Sequence, residues 1–158
     1  METETATPWL TDAEQCAWRT YLDVNRMLMY QLEKDLQPFG LTINDYEILV
    51  NLSESADRRL RMSDLAAATL QSKSRLSHQI TRMENAGLVR RENCESDRRG
   101  LYAVLTDEGM TTMHKVAPHH VESVRKHFID QLSPDALGDL HESLKPIAEE
   151  LRGRRGKP

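Results

Sequence analysis

The sequence predicts a mainly α-helical chain that carries one small β-hairpin. Apolar residues recur every three or four positions over most of the 158 residues. The helical stretches tend to open on Thr or Ser, with an acid just inside. Near residues 88–105 the pattern changes to two short strand-like runs around a polar tip. With 39 % hydrophobic and 29 % charged residues, the chain has enough apolar surface for a real core. No run approaches the ~20 apolar residues of a membrane span, so no membrane association is expected.

Residues 1–9 offer little to bury and are expected to fray, as are 153–158. Thr11 can cap a first long helix with Asp12 and Glu14 in its first turn, where acids suit the helix dipole. Its apolar stripe runs through Trp18, Leu22, Met29, Leu32 and Leu36, and Pro38-Phe39-Gly40 ends it. Roughly 26 residues at ~1.5 Å each make a helix of about 39 Å, long enough to need a second chain to pack on. Thr42 restarts a helix that buries Tyr46, Leu49, Val50 and Leu52. After a polar connection (54–61), whose basic end is expected near any anionic partner, Ser63 can cap a short helix.

A longer helix over about Lys73 to Asn85 follows, with Leu76, Ile80 and Met83 forming its buried stripe. Ser72, Lys73, Ser74, Ser77, His78, Thr81 and Arg82 occupy the rest of the cylinder; Arg75, beside Leu76, could serve the fold or a phosphate equally. The turn before it, Thr69-Leu70-Gln71, lacks glycine. Leu70 disfavours positive φ, so a longer turn is expected there. Gly87 ends the helix as a C′ glycine. Two antiparallel strands then flank NCESDRRG, a tip carrying Asp97, Arg98 and Arg99, with Cys94 expected to be exposed.

Thr106 caps a fifth helix, which Pro118 is expected to kink or interrupt. Ser133-Pro134-Asp135 starts a last one. Its Leu137, Leu140, Leu144, Ile147 and Leu151 are spaced 3, 4, 3 and 4 apart, a seam of the coiled-coil type that calls for a partner, with Pro146 as a blemish.

Helix, turn, helix and a charged wing make a winged helix-turn-helix, a layout that places a helix in the major groove of double-stranded DNA and a hairpin at the flanking backbone or minor groove. Net charge is −4, which is wrong for a DNA binder unless charge is segregated. It is: residues 58–99 hold 10 basic and 5 acidic side chains, net +5, whereas residues 1–57 hold 3 and 11, net −8. With screening over roughly 8 Å, the local excess governs binding. On this layout Ser72, Lys73, Ser74, Ser77, His78, Thr81, Arg82, Asp97, Arg98 and Arg99 are the candidate DNA contacts, with Asp97 holding the Arg99 guanidinium bidentately. No phosphate-cradling glycine loop, GxSxG or metal-ligand spacing is present, so neither enzyme activity, cofactor nor metal site is expected. His114, His119, His120 and His127 cluster around the fifth helix without such spacing. Cys16 and Cys94 give no disulfide framework, and the acidic N-terminus has no leader pattern, which together imply the cytoplasm.

The run SKSRLSHQITRMENAGLVRR followed by SDRRGLYAVLTDEG resembles the MarR family of bacterial regulators. Its most specific parts are the D-x-R wing (Asp97, Arg98, Arg99) and L-T-x-x-G (Leu105, Thr106, Gly109), within a core of about residues 41–110. The resemblance implies a homodimeric transcription regulator, most often a repressor of a near-palindromic operator. Residues 10–40 and 107–152 would be its dimerisation helices and 41–106 its DNA-binding domain. It also implies a small aromatic or phenolic effector near Arg26, Tyr30, Tyr46 and His120, although Ile43 stands where a tyrosine often follows L-T. Two other readings compete: a winged helix used for protein contact, and redox sensing by Cys16, since the family's peroxide-sensing branch has a first-helix cysteine that aligns near Trp18.

Overall fold

The computed structural model describes residues 7–94 and 97–155, with the side chains of 97–99 and 155 excepted. Six helices and one antiparallel sheet run in the order α1 (Asp12–Leu36), α2 (Ile43–Glu54), β1 (Arg59–Arg61), α3 (Met62–Ala68), α4 (Lys73–Asn85), β2 (Val89–Cys94), β3 (Asp97–Leu105), α5 (Asp107–His127) and α6 (Pro134–Arg155).

Local chemistry sets most of these boundaries. Thr11 and Glu14 form a reciprocal capping box, as do Thr42 and Asp45. Gly40 and Gly87 take left-handed φ of 70° and 76° and end the segments before them. At the start of α5, Thr106 accepts from the Gly109 N–H at 2.9 Å and donates to the Gly87 carbonyl at 2.6 Å. A Cβ on Gly109 would lie 2.1 Å from the Leu88 carbonyl oxygen, so only glycine lets α5 pass this close to the chain leaving α4. The L-T-x-x-G spacing is therefore a packing requirement.

The core gathers α2, α3, α4 and the inner face of the sheet around Ile48, Leu49, Leu52, Leu65, Leu76 and Ile80, each 0 % exposed. Leu36 from α1 and Val116 from α5 join it, linking the long helices to the small lobe. Asp35 at the end of α1 reinforces that joint. It accepts from the Ser123 hydroxyl at 2.5 Å and lies 3.2 Å from His127 Nε2, both on α5.

Several expectations give way. The wing has three strands in the order β1-β3-β2, because the basic connection supplies Arg59–Arg61 as a strand paired with Val104, Ala103 and Tyr102. Ser63 does not cap α3; the helix opens two residues earlier, at Met62 behind Arg61, with no side-chain cap. The turn before α4 is not lengthened. Leu70 adopts a φ of 56° in a tight turn, with the Gln71 N–H donating to the Ala66 carbonyl at 3.0 Å and its side chain turned to solvent. Pro118 does not interrupt α5. Cys94 is buried, beneath Arg61, whose guanidinium lies 3.4 Å from its Sγ. Residues 153–155 belong to α6; the expected fraying of 1–6 and 156–158 lies outside the described residues.

The expected α1 stripe divides. Leu32 and Leu36 are buried, whereas Trp18, Leu22 and Met29 are exposed. Likewise Leu144, Ile147 and Leu151 of α6 face outward, and α6 makes no extensive contact with another element of its chain. Among the described residues no helix is long and apolar enough to cross a membrane.

Candidate nucleic-acid interface

Ser72 caps α4 by accepting from the Arg75 N–H at 3.2 Å. Leu76, Ile80 and Met83 seat the helix on the core, and Gln79 is buried with them. That leaves Lys73, Ser74, Arg75, Ser77, His78, Thr81 and Arg82 on an outward face with no apolar residue among them. Every sequence-nominated residue of α4 thus lies on one exposed, polar surface, and the hairpin β2–β3 is paired beside the helix. The side chains of Asp97, Arg98 and Arg99 lie outside the described residues, so the expected Asp97–Arg99 pairing has no geometry here.

Three of the nominated α4 side chains are already engaged within the protein. Arg82 pairs with Asp45, a carboxylate that is 0 % exposed and also accepts from Gln79 Nε2 and the Thr42 N–H, both at 2.9 Å. Burial alone would raise the Asp45 carboxyl. The Arg82 bond, with those from Thr42 and Gln79, outweighs burial and holds it below the ordinary carboxylate value. Ser77 and Thr81 are taken by Arg91 of β2, whose guanidinium donates to the Ser77 hydroxyl at 3.4 Å and carbonyl at 2.7 Å and to the Thr81 hydroxyl at 2.9 Å. Lys73, Ser74 and His78 make no side-chain bond among those described and present their heads outward.

Further basic groups flank the helix. Arg59 and Arg61 bracket the Tyr102 ring, their guanidinium carbons 5.0 and 5.6 Å from its centroid. Arg58, at a φ of 55°, reaches Asp107 at 3.1 Å and ties the connection to the start of α5.

The nominated effector residues separate into two places. Tyr46 of α2 is buried and packs on His120 of α5, ring centroids 4.4 Å apart and planes tilted by 40°, and His120 Nδ1 is enclosed without a hydrogen-bond partner. Burial raises the Tyr46 phenol and lowers the His120 imidazole relative to their ordinary values. Arg26 and Tyr30 instead lie on the exposed side of α1, with Arg26 paired to Asp23 at 2.5 Å. The other α5 histidines do separate work. His119 packs on Phe39 and His127 on Asp35, and among the described residues no three His, Cys, Asp or Glu side chains converge as a metal site would require.

A model of the MarR family matches residues 39–100, which span α2 through the wing. Over a greater length, the chain superposes on the crystal structure of AbsC, a MarR family transcriptional regulator from Streptomyces coelicolor. The TM-score is 0.89 and the identity 78 %, covering 93 % of this chain and 99 % of that one. The chain belongs to the MarR family of transcriptional regulators. A second member from Streptomyces coelicolor, Sco3205, solved in complex with DNA, is 43 % identical with a TM-score of 0.87 and covers 91 % of each chain. The HTH-type transcriptional regulator PecS of Dickeya dadantii is 32 % identical over 112 residues, 70 % of this chain but only 65 % of PecS.

The sequence missed Arg91 and Asp45. Arg91 had a recoverable signal: two residues after buried Val89 on one strand, period-2 alternation turns it inward, and an inward arginine needs an acid. For Asp45 the signal was masked, because its capping role in the first turn of α2 already accounts for an acid there.

Proposed function

We propose that this MarR family member binds double-stranded DNA as a homodimer and represses transcription from a near-palindromic operator until a small aromatic or phenolic molecule releases it. The observation that carries the DNA reading is the outward face of α4, polar and cationic along its length and flanked by the wing. A relative 43 % identical has been solved in complex with DNA, which supports placing that face in the major groove. Lys73, Ser74 and His78 are the foremost candidates for the groove, with Arg98 and Arg99 at the wing tip. A protein-contact role would favour an apolar face instead.

Dimerisation is supported by the two apolar surfaces at the chain ends, Trp18, Leu22 and Met29 on α1 and Leu144, Ile147 and Leu151 on α6. Two-fold symmetry would set the two α4 helices about one DNA turn apart, ~34 Å. The effector reading draws on the Tyr46–His120 ring contact with its unpartnered Nδ1; Arg26 and Tyr30 then belong to the α1 surface that a second protomer would cover. Release needs an effector with different affinities for the bound and free shapes. A cytoplasmic setting follows from the DNA-binding role.

Titration of DNA upstream of the protein's own gene against unrelated duplex, across a salt series, tests the reading. A specific site whose affinity falls steeply with salt is the expected result, and Arg99→Ala should weaken that binding while leaving the dimer intact. Binding no better than to random duplex, at all upstream fragments, would refute autoregulation by direct operator recognition.

A further inference from the structure

Arg91 makes a denser set of bonds to α4 than any other wing side chain described, and nothing in the DNA reading above uses it. Its backbone N–H donates to Glu84 Oε1 at 2.9 Å and its guanidinium to Glu84 Oε2 at 2.7 Å. The same guanidinium donates to the Ser77 carbonyl at 2.7 Å and to the Thr81 hydroxyl at 2.9 Å, while Thr81 donates in turn to the Ser77 carbonyl at 3.0 Å. One arginine from the first wing strand thus spans two turns of α4, from Ser77 to Glu84. Its side chain is 21 % exposed, too enclosed and too fully bonded to serve as a free phosphate ligand. The backbone bond from Arg91 is also the main cause holding the Glu84 carboxyl below its ordinary value, so the strap favours the ionised acid.

We infer that Arg91 is a positioning residue for DNA recognition: it straps the wing to α4 so that helix and hairpin meet the duplex at a fixed spacing, and it touches no DNA itself. Ser77 and Thr81 are the seats of the strap and do not read bases. The inference rests on the DNA reading above. Its physical basis is that a helix in one groove and a hairpin in the next must be placed together. A wing already ordered in the free protein does not lose that freedom on binding. A four-point guanidinium anchor fixes both distance and angle, which an ammonium group at the same place could not.

The test uses full-length protein, the operator fragment defined above, and the variants Arg91→Ala, Arg91→Lys, Arg99→Ala and Arg91→Ala with Arg99→Ala. Affinity is measured across salt, and amide exchange is followed in the free protein. Arg91→Ala should weaken operator binding about tenfold, through loss of the wing's contacts and not of any contact of its own. Arg99→Ala should cost about tenfold in the parent but less than about threefold once Arg91 is gone, because the wing is then already misplaced. Exchange should accelerate in β2 and β3 without change in α2. Arg91→Lys, which keeps the Glu84 pair and loses the rest, should fall between parent and Arg91→Ala; it carries the test should Arg91→Ala fold poorly. Losses that multiply independently would make Arg91 a direct DNA ligand and overturn the inference. An affinity left unchanged would overturn it too. If the parent protein itself does not distinguish operator from random duplex, the DNA reading fails, and amide exchange alone decides the strap: unchanged rates in the hairpin reject it.

Discussion

Removal of the Asp45 carboxylate should be among the most damaging single changes available outside the apolar core. The side chain is 0 % exposed and accepts from three donors: the Thr42 N–H, Gln79 Nε2 and the Arg82 guanidinium. In Asp45→Ala, Arg82 is half in solvent and turns to water, at a cost of about 0–1 kcal/mol. Gln79 is buried and the Thr42 N–H partly so, and each donor left without an acceptor costs about 1–3 kcal/mol. The total is about 2–7 kcal/mol, a range that contains the ~3–5 kcal/mol of breaking a buried pair from one side. Asp45→Asn keeps one acceptor oxygen and should cost roughly half as much. Urea unfolding at fixed protein concentration measures both, and Tm should drop by about 10 °C for the alanine variant. The pH dependence gives a second readout. Because the folded carboxyl lies below its unfolded value, the unfolded chain binds the proton first as pH falls. Its contribution is full above about pH 4 and is lost as pH drops through the folded value. Asp45→Asn should therefore flatten the acid limb relative to the parent. A loss below about 1 kcal/mol for Asp45→Ala, with an unaltered acid limb, would show that the network contributes no net stability.

Gly109→Ala should destabilise by about 3 kcal/mol or more, since its Cβ would sit 2.1 Å from the Leu88 carbonyl oxygen, whereas Gly87→Ala, strained mainly by φ, should cost only about 1 kcal/mol; thermal melts that rank them the other way would refute the packing account. Ile147→Asp, on the outward seam of α6, should convert the expected dimer to monomer in sedimentation with helix content retained, and a dimer of unchanged affinity would remove α6 from the interface. His120→Phe should keep the ring contact with Tyr46 while abolishing a titration. The folded imidazole lies below its unfolded value, so the parent should lose stability as pH falls below about 6.5 and the variant should lose less; parallel curves would dismiss His120 as the group responsible.

The legible parts of this fold are those in which one short stretch of chain carries its own instructions. Thr11, Thr42 and Thr106 sit one residue before their helices with acids inside the first turn, and each caps as its sequence implies. The outward face of α4 was equally legible, because the apolar positions 76, 80 and 83 leave the other side of the helix by subtraction. Pro118 and Leu70 mislead for a common reason: intrinsic cost was read as prohibition. A proline forfeits one hydrogen bond that a 21-residue helix packed on α1 and α2 can tolerate, and a single left-handed leucine costs about 1–2 kcal/mol, which the buried contacts of α3 and α4 exceed.

What remained hidden in the candidate site is its polar tertiary structure. Charge patterning nominated Arg82, Ser77 and Thr81 as free groups facing a partner, because sequence reports which side of a helix a residue occupies and not what approaches that side. Here two elements do approach. From α2, Asp45 takes Arg82 and Gln79; from β2, Arg91 takes Ser77, Thr81 and Glu84. The two locks grip α4 from different elements and resist its rotation about its own axis more than apolar packing could alone, since Leu76, Ile80 and Met83 would tolerate small slips that the directional bonds of Asp45 and Arg91 would not. The groove reading proposed for Lys73, Ser74 and His78 depends on that rotation. The residues that decide it lie 28 positions before Lys73 and 18 after, at Asp45 and Arg91.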